Sequence, residues 1–208
     1  MKIKKIGHSC ILLEKNGKKL LFDPGTYAFN DSVRPEQFSN VNLILITHEH
    51  ADHCSLDAIK TIVKGGAKII ANSSVVAKLK EQGLVAKVID IGQKIDFEGF
   101  SIEAFDCPHG ELPIPVPKNT GFLIDGNIFN PGDSLEPKNM KTTPEVLLVP
   151  IGGPFLKLVD AIAFAKKISP RIAIPVHDGV LKYPAFPIDI FKKALTEAGI
   201  TAVEDIEI

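Results

Sequence analysis

Cysteine, an excess of either charge and long apolar runs are all scarce in this sequence, and each scarcity removes a class of protein. Cys10, Cys54 and Cys107 are an odd number, at spacings that fit neither a disulfide framework nor a zinc ribbon. They are expected as reduced, buried thiols, although Cys54 follows His53 and Cys107 stands two residues before His109, which would bring either near a metal. A net charge of -1 and a pI near 6.6 give no field for drawing in a polyanion, and no Lys/Arg run has the length of a nucleic-acid tail. No nucleic-acid partner is therefore expected. No apolar stretch approaches the ~20 residues that span a bilayer, so no membrane partner is expected either. The opening Met1-Lys2-Ile3-Lys4-Lys5 has the basic start of a signal peptide, but Gly7-His8-Ser9 breaks the apolar run and no small-residue cleavage site follows. It reads as a first strand, in a soluble protein expected in the cytoplasm.

What is present is enough to build a core: 208 residues with 45% hydrophobic and 24% charged, inside the range of one domain spanning 1–208. Lys2 to Ile6 and Cys10 to Glu14 read as short strands, and Asn16-Gly17 signals a hairpin into Leu20-Leu21-Phe22. Leu43 to Thr47 is a continuous apolar, β-branched run suited to a strand buried on both faces. Ser55 can cap a helix that runs to about Lys64 and ends at Gly65-Gly66. Then come a strand over Lys68 to Ala71, a helix over Ser73 to Gln82, and two strands over Ile95 to Phe105 broken at Glu98-Gly99. Gly121 to Ile124 and Asn127 to Phe129 pair as a hairpin, Val146 to Ile151 is a buried strand, and Val159 to Ile168 an amphipathic helix before Pro170. Arg171 to Ile174 and a helix over Ile188 to Ala198 close the series. The mixture fits a layered α/β domain of two sheets with helices outside them. The two halves loosely echo each other, but residue identity demonstrates no repeat.

The chemistry concentrates in the histidines. Three of the six fall within His48-Glu49-His50-Ala51-Asp52-His53, an arrangement that chance would give in roughly three of ten thousand such chains, so it is a signal. Residues two apart on an extended segment project to the same side, so His48 and His50 can share one metal, and the turn that follows offers Asp52 and His53 to another. Neutral imidazole and carboxylate suit zinc, manganese or iron, with a position left open for water in a catalytic site. The other candidates also sit just beyond strands: His109 after Ile102 to Phe105, Asp133 in Asn130-Pro131-Gly132-Asp133, and His177 after Ile172 to Ile174. A lone loop Asp after Pro-Gly is more often a turn former, and a lone His more often surface or core. Recurrence at strand ends outweighs that reading. Asp133 suits a bridge between cations ~3.5–4 Å apart, His109 would complete the first metal and His177 the second.

With these residues assembled, the sequence resembles the metallo-β-lactamase superfamily, whose H-x-H-x-D-H motif, later His, bridging Asp and final His match the same positions over most of the chain. Gly7-His8-Ser9, Phe22-Asp23-Pro24, Pro150-Ile151-Gly152-Gly153 and Pro175-Val176-His177 further resemble the branch of metal-dependent hydrolases that includes L-ascorbate-6-phosphate lactonase. The resemblance implies a four-layer αββα sandwich. It also implies two divalent metal ions, zinc first among them, held by His48, His50 and His109 and by Asp52, His53 and His177, with Asp133 and a water between. Ser134 after Asp133 and Asp178-Gly179 after His177 depart from the branch's pattern and bear on the substrate rather than the metals.

Two such cations balanced by Asp52, Asp133 and a hydroxide leave a local charge of about +1, which favours an electron-rich carbonyl or phosphoryl centre on a small anionic substrate, a lactone or ester first. Metal coordination lowers the pKa of water toward ~7, and Asp52 can orient the hydroxide that results. His8 is a candidate proton donor or substrate contact, weighed against a structural hydrogen bond, and Asp23 a structural tie. The Pro-rich loop from Glu111 to Lys118 is a candidate pocket wall. Tyr27, Arg34, Lys118, Lys182 and Tyr183 are candidate substrate contacts, each more often ordinary surface. A phosphodiesterase or nuclease is the competing enzyme, and a non-catalytic metal-binding or sensing protein the competing class. A homo-oligomer is left open by the sequence.

Overall fold

The computed structural model describes residues 1–208. Its first half contains strands β1 (Lys2–Gly7), β2 (Cys10–Lys15), β3 (Lys18–Phe22), β4 (Leu43–Ile46), β5 (Lys68–Ala71) and β6 (Lys87–Val88), with α1 (Leu56–Ile62) before β5 and α2 (Ser73–Glu81) after it. The second half contains β7 (Lys94–Phe97), β8 (Phe100–Asp106), β9 (Thr120–Ile124), β10 (Ile128–Asn130), β11 (Val146–Pro150), β12 (Ile172–Val176) and β13 (Thr201–Ala202). Helix α3 (Leu158–Ile168) precedes β12, α4 (Ala185–Thr196) follows it, and β14 (Asp205–Glu207) ends the chain.

Alternation along each strand produces the layers. On β4, Leu43 and Leu45 face inward with Leu20 and Phe22 of β3, while Ile44 and Ile46 face α1 and α2. On β11, Val146 and Leu148 face inward, while Leu147 and Val149 lie against Ala161, Phe164 and Phe191 of α3 and α4. One apolar cluster thus lies between the sheets and one under each helical layer, giving the αββα sandwich. The central strands are buried on both faces, which is why they read as unbroken apolar runs.

The sheets run β14-β1-β2-β3-β4-β5-β6 and β7-β8-β9-β10-β11-β12-β13. In each, the first four strands are antiparallel and the last four parallel, and helices fill the same two crossovers. The echo between halves is therefore a repeat of topology, with β14 supplying to the first sheet the edge that β7 supplies to the second. The structure departs from the sequence reading at α4, which begins at Ala185 rather than Ile188. Pro187 falls in its first turn, where a missing N–H costs no hydrogen bond, so it does not delay the helix. The short strands β6, β13 and β14 were not anticipated; each pairs with only two or three partner residues. No helix is long and apolar enough to cross a membrane.

Candidate metal centre

Every candidate site residue lies where a strand has just left its sheet. The apolar run of β4 stops at Ile46 and leads through Thr47 into His48; β12 stops at Val176, directly before His177; Asp133 and His109 each lie three residues beyond β10 and β8. His8 turns the chain from β1 to β2. The local backbone is strained at three of these points, with φ of 51° at His8, 42° at Asp23 and 61° at His177. Left-handed non-glycine residues cost ~1–3 kcal/mol each and persist only where surroundings hold them. Here His177 N–H donates to the His8 carbonyl, and Asp23 N–H to that of Leu45. The metal loop is pinned by close approach: a Cβ on Gly25 would collide with the backbone of Asp52.

Two sets of side chains could each hold a cation, His48, His50, His109 and Asp133 on one side and His8, Asp52, His53 and His177 on the other. Asp133 lies between them. Its Oδ2 is 3.0 Å from His177 Nε2, 3.5 Å from His109 Nε2 and 3.8 Å from His48 Nε2, and its Oδ1 is 3.0 Å from His53 Nε2. His48 Nε2 faces His50 Nδ1 at 3.2 Å, and Asp52 Oδ2 lies 3.3 Å from His177 Nε2. Despite this crowding, the buried atoms His53 Nε2, His109 Nε2, His177 Nε2 and Asp133 Oδ1 have no hydrogen-bond partner. Buried polar atoms are rarely left so, and three imidazole nitrogens converging on one carboxylate fit a cation-binding centre.

The surrounding hydrogen bonds decide which ring nitrogens are free. Asp23 Oδ2 accepts from His53 Nδ1 at 3.0 Å and from Thr47 Oγ1 at 2.9 Å, and its Oδ1 accepts from Thr47 N–H at 2.8 Å. Having given its proton to Asp23, the Thr47 hydroxyl accepts from His48 Nδ1 at 3.1 Å. His109 Nδ1 donates to the Gly110 carbonyl. Each bond fixes the tautomer that leaves Nε2 with its lone pair toward Asp133. His8 is fixed the other way: its Nδ1 accepts from Gly179 N–H at 2.9 Å, so the proton is on Nε2, 3.2 Å from Asp52 Oδ2.

Charge follows the same geometry. Burial opposes ionisation of Asp133, but His53, His177 and His109 outweigh it and hold the carboxyl well below the usual range. Asp52 is likewise held low by His177 and His8 against burial. Burial pushes His177 down while Asp133 and Asp52 raise it to about 9, and His53 is raised well above the ordinary value against burial by Asp133 and Asp23. His48, buried beside His53, is pushed well below it, and burial with His109 nearby also lowers His50. Without a cation, the carboxylates draw protons onto His53 and His177; a divalent cation would replace them.

The centre opens into a cavity of about 250 Å³ lined by Tyr27, Leu112, Pro154, Phe155 and Val180 in addition to His50, Asp52, His109, Asp133 and His177. Tyr27 is the one member of the five suggested substrate contacts found there. Arg34 starts a 3-10 turn elsewhere, Lys118 is engaged with Asp90 and Ser73, and Lys182 lies over the Tyr183 ring on the exposed surface. Of the loop from Glu111 to Lys118, Leu112 reaches the cavity. An anionic substrate was expected from the charge of the metals, but the lining has no Lys or Arg to meet it. Phe155, Pro154 and Val180 went unread in the sequence. The Gly152-Gly153 turn after β11 is the signal that could have found Phe155. Cys54 and Cys107 belong to neither ligand set; both are buried in apolar clusters.

The beta-lactamase superfamily domain model matches residues 2–177. A UPF0173 protein of Pyrococcus furiosus is 32% identical over 100% of this chain and 97% of its own. A UPF0173 metal-dependent hydrolase of Thermoplasma acidophilum is 35% identical over 82% of this chain and 80% of its own. Among solved structures, the metallo hydrolase Igni18 of Ignicoccus hospitalis superposes with a TM-score of 0.78 at 23% identity, covering 100% of this chain and 98% of that one, a likeness of fold. The chain belongs to the beta-lactamase superfamily and is a metal-dependent hydrolase within it.

Proposed function

We propose that the protein hydrolyses a small lactone or ester at a centre for two divalent cations, zinc first among the candidates. His48, His50 and His109 would hold one, Asp52, His53 and His177 the other, and Asp133 would reach both. The observation that carries this is the set of three partnerless buried imidazole nitrogens around the Asp133 carboxylate, whose Oδ1 is itself without a partner. A divalent cation there supplies Lewis acidity toward a carbonyl or phosphoryl oxygen and acidifies water toward neutral pH.

The protein's own residues do the positioning. Asp52 keeps 20% of its side chain exposed at the cavity, placed to accept a hydrogen bond from the attacking water and aim it. His8, with both nitrogens engaged, acts as a positioning residue that holds the Asp52 carboxylate, not as the proton donor or substrate contact considered from sequence. Leu112, Pro154, Phe155 and Val180 give the reacting carbonyl apolar neighbours. Three unpaired buried cysteines suit a reducing compartment, and we place the protein in the cytoplasm.

The test compares metal-reconstituted and chelator-stripped protein on a lactone and on a phosphodiester, with His50→Ala as the blank. Metal-dependent ring opening that His50→Ala loses is expected. Phosphodiester cleavage without lactone opening would replace this reading with the phosphodiesterase one.

A further inference from the structure

Phe155 occupies a position that the metal ligands alone do not explain. Its ring centroid lies 5.3 Å from those of both His109 and His177, one candidate ligand from each side of the centre. It is therefore a roof over both, not a neighbour of one. The approach is close: a Cβ on Gly110 would collide with the Phe155 side chain, so the ring can sit where it does only over a glycine. Phe155 and His109 line both the metal cavity and a second cleft, whose lining holds Glu111, Asp160 and Glu136, the last already paired with Lys138, against one lysine, Lys167.

Two independent features bear on substrate charge. Apart from the candidate ligands, Thr26 and the Tyr27 hydroxyl, the metal cavity's walls are apolar, and none of its lining is Lys or Arg; the adjoining cleft carries more carboxylate than ammonium. A phosphate or carboxylate on the substrate would lose its water against apolar wall on one side of Phe155 and meet like charge on the other. A cavity of about 250 Å³ also limits size. We infer that the substrate is compact and uncharged, with an apolar group that packs on Phe155, and that Phe155 is the specificity-determining residue. This rests on the hydrolase reading above and deepens it.

The test uses the metal-loaded protein and four matched probes: a five-membered lactone with a four-carbon alkyl chain, the same lactone with a phosphate ending that chain, and the two corresponding lactams. Calorimetry with the lactams reads pocket preference without turnover. The neutral lactam is expected to bind about 100-fold more tightly, as an unpaired buried charge would dictate; equal affinity, or tighter binding of the phosphorylated lactam, overturns the inference. Phe155→Arg supplies the missing cation and should narrow the gap at least ~10-fold, whereas Phe155→Leu, which keeps the wall apolar, should preserve its sign. An unchanged gap in Phe155→Arg, with metal content and circular dichroism intact, overturns the assignment of Phe155. The lactones separate the two readings. Equal kcat/KM for both lactones sinks the inference and leaves the hydrolase, whereas lactam preference without lactone opening supports the inference and sinks the lactonase reading.

Discussion

Replacing Asp23 by Asn tests how far metal binding depends on a residue that is not itself a candidate ligand. Asp23 is 1% exposed, and its two oxygens accept three hydrogen bonds, two from Thr47 and one from His53 Nδ1. Asparagine offers one oxygen and an NH₂ in the same space. If its oxygen keeps the Thr47 amide, the NH₂ faces His53 Nδ1, and His53 must accept there and carry its proton on Nε2. That nitrogen is the one 3.0 Å from Asp133 Oδ1, so the lone pair meant for a cation is lost. If the amide turns over, two donors face each other at the Thr47 N–H instead. Neither orientation satisfies all three partners and also leaves His53 Nε2 its lone pair.

Outer hydrogen bonds of this kind are worth ~10–100-fold in metal affinity, about 1.4–2.7 kcal/mol. In metal-free protein the bond to a charged partner is worth ~1.5–3 kcal/mol, and at about 2–4 °C per kcal/mol for a chain of this size the midpoint of unfolding should fall ~3–12 °C. The assay is competition against a chromophoric chelator, with thermal unfolding in parallel and His50→Ala as the reference for a lost ligand. Lower stability with wild-type affinity would refute the tautomer argument and leave Asp23 a structural tie alone.

Three further outcomes are expected. His177 is raised to about 9 from an ordinary value of 6.5, so its contribution to the stability of chelator-stripped protein is complete below pH 6.5 and lost as pH rises through 9. Apparent metal affinity should climb over that same window as the proton leaves, and an unfolding midpoint that stays flat between pH 6.5 and 9 would contradict this. His8→Ala should keep its full metal content while kcat falls ~10–100-fold with KM little changed; loss of a metal equivalent on calorimetry would make His8 a ligand. Burial pushes the Cys54 thiol up to about 11, Cys107 to about 12 and Cys10 well above its ordinary value. A disulfide-exchange reagent should therefore label none of them in native protein and leave activity intact; rapid labelling of Cys54 would reopen a chemical role for it.

The ligand set was legible because it is a local pattern: His48, His50, Asp52 and His53 lie in six residues, and His109, Asp133 and His177 each follow an apolar run. The central strands were legible for the same reason, being buried on both faces. The cavity walls were legible only in part. Tyr27, Leu112, Phe155 and Val180 come from four loops distant in sequence; Tyr27 and the loop carrying Leu112 stood among candidates that mostly lie elsewhere, Phe155 had only the Gly152-Gly153 turn before it as a signal, and Val180 had none. The repeat of topology was hidden by phase. Phe22-Asp23-Pro24-Gly25 at the end of β3 looks like Phe129-Asn130-Pro131-Gly132 at the end of β10, yet Phe22 faces the space between the sheets and Phe129 faces the helices. A one-residue offset exchanges the two faces of a strand, so matching letters there do not mark matching positions.

That repeat also explains why His8 and His109 behave differently. Both occupy the connection between corresponding strands, β1 to β2 and β8 to β9. The first connection is only His8-Ser9, a tight turn that forces φ of 51° and brings Nδ1 onto the Gly179 amide, so both ring nitrogens of His8 are spent on hydrogen bonds. The second runs from Cys107 to Asn119, long enough for His109 to satisfy Nδ1 on the neighbouring Gly110 carbonyl and leave Nε2 bare toward Asp133. Loop length thus selects between a residue that holds a carboxylate and one that offers a lone pair. Inserting two glycines after Ser9 should relax the turn, release Nδ1 from Gly179 and reduce turnover as His8→Ala does. Wild-type turnover in that insertion variant would show that the tight turn is not what commits His8 to Asp52.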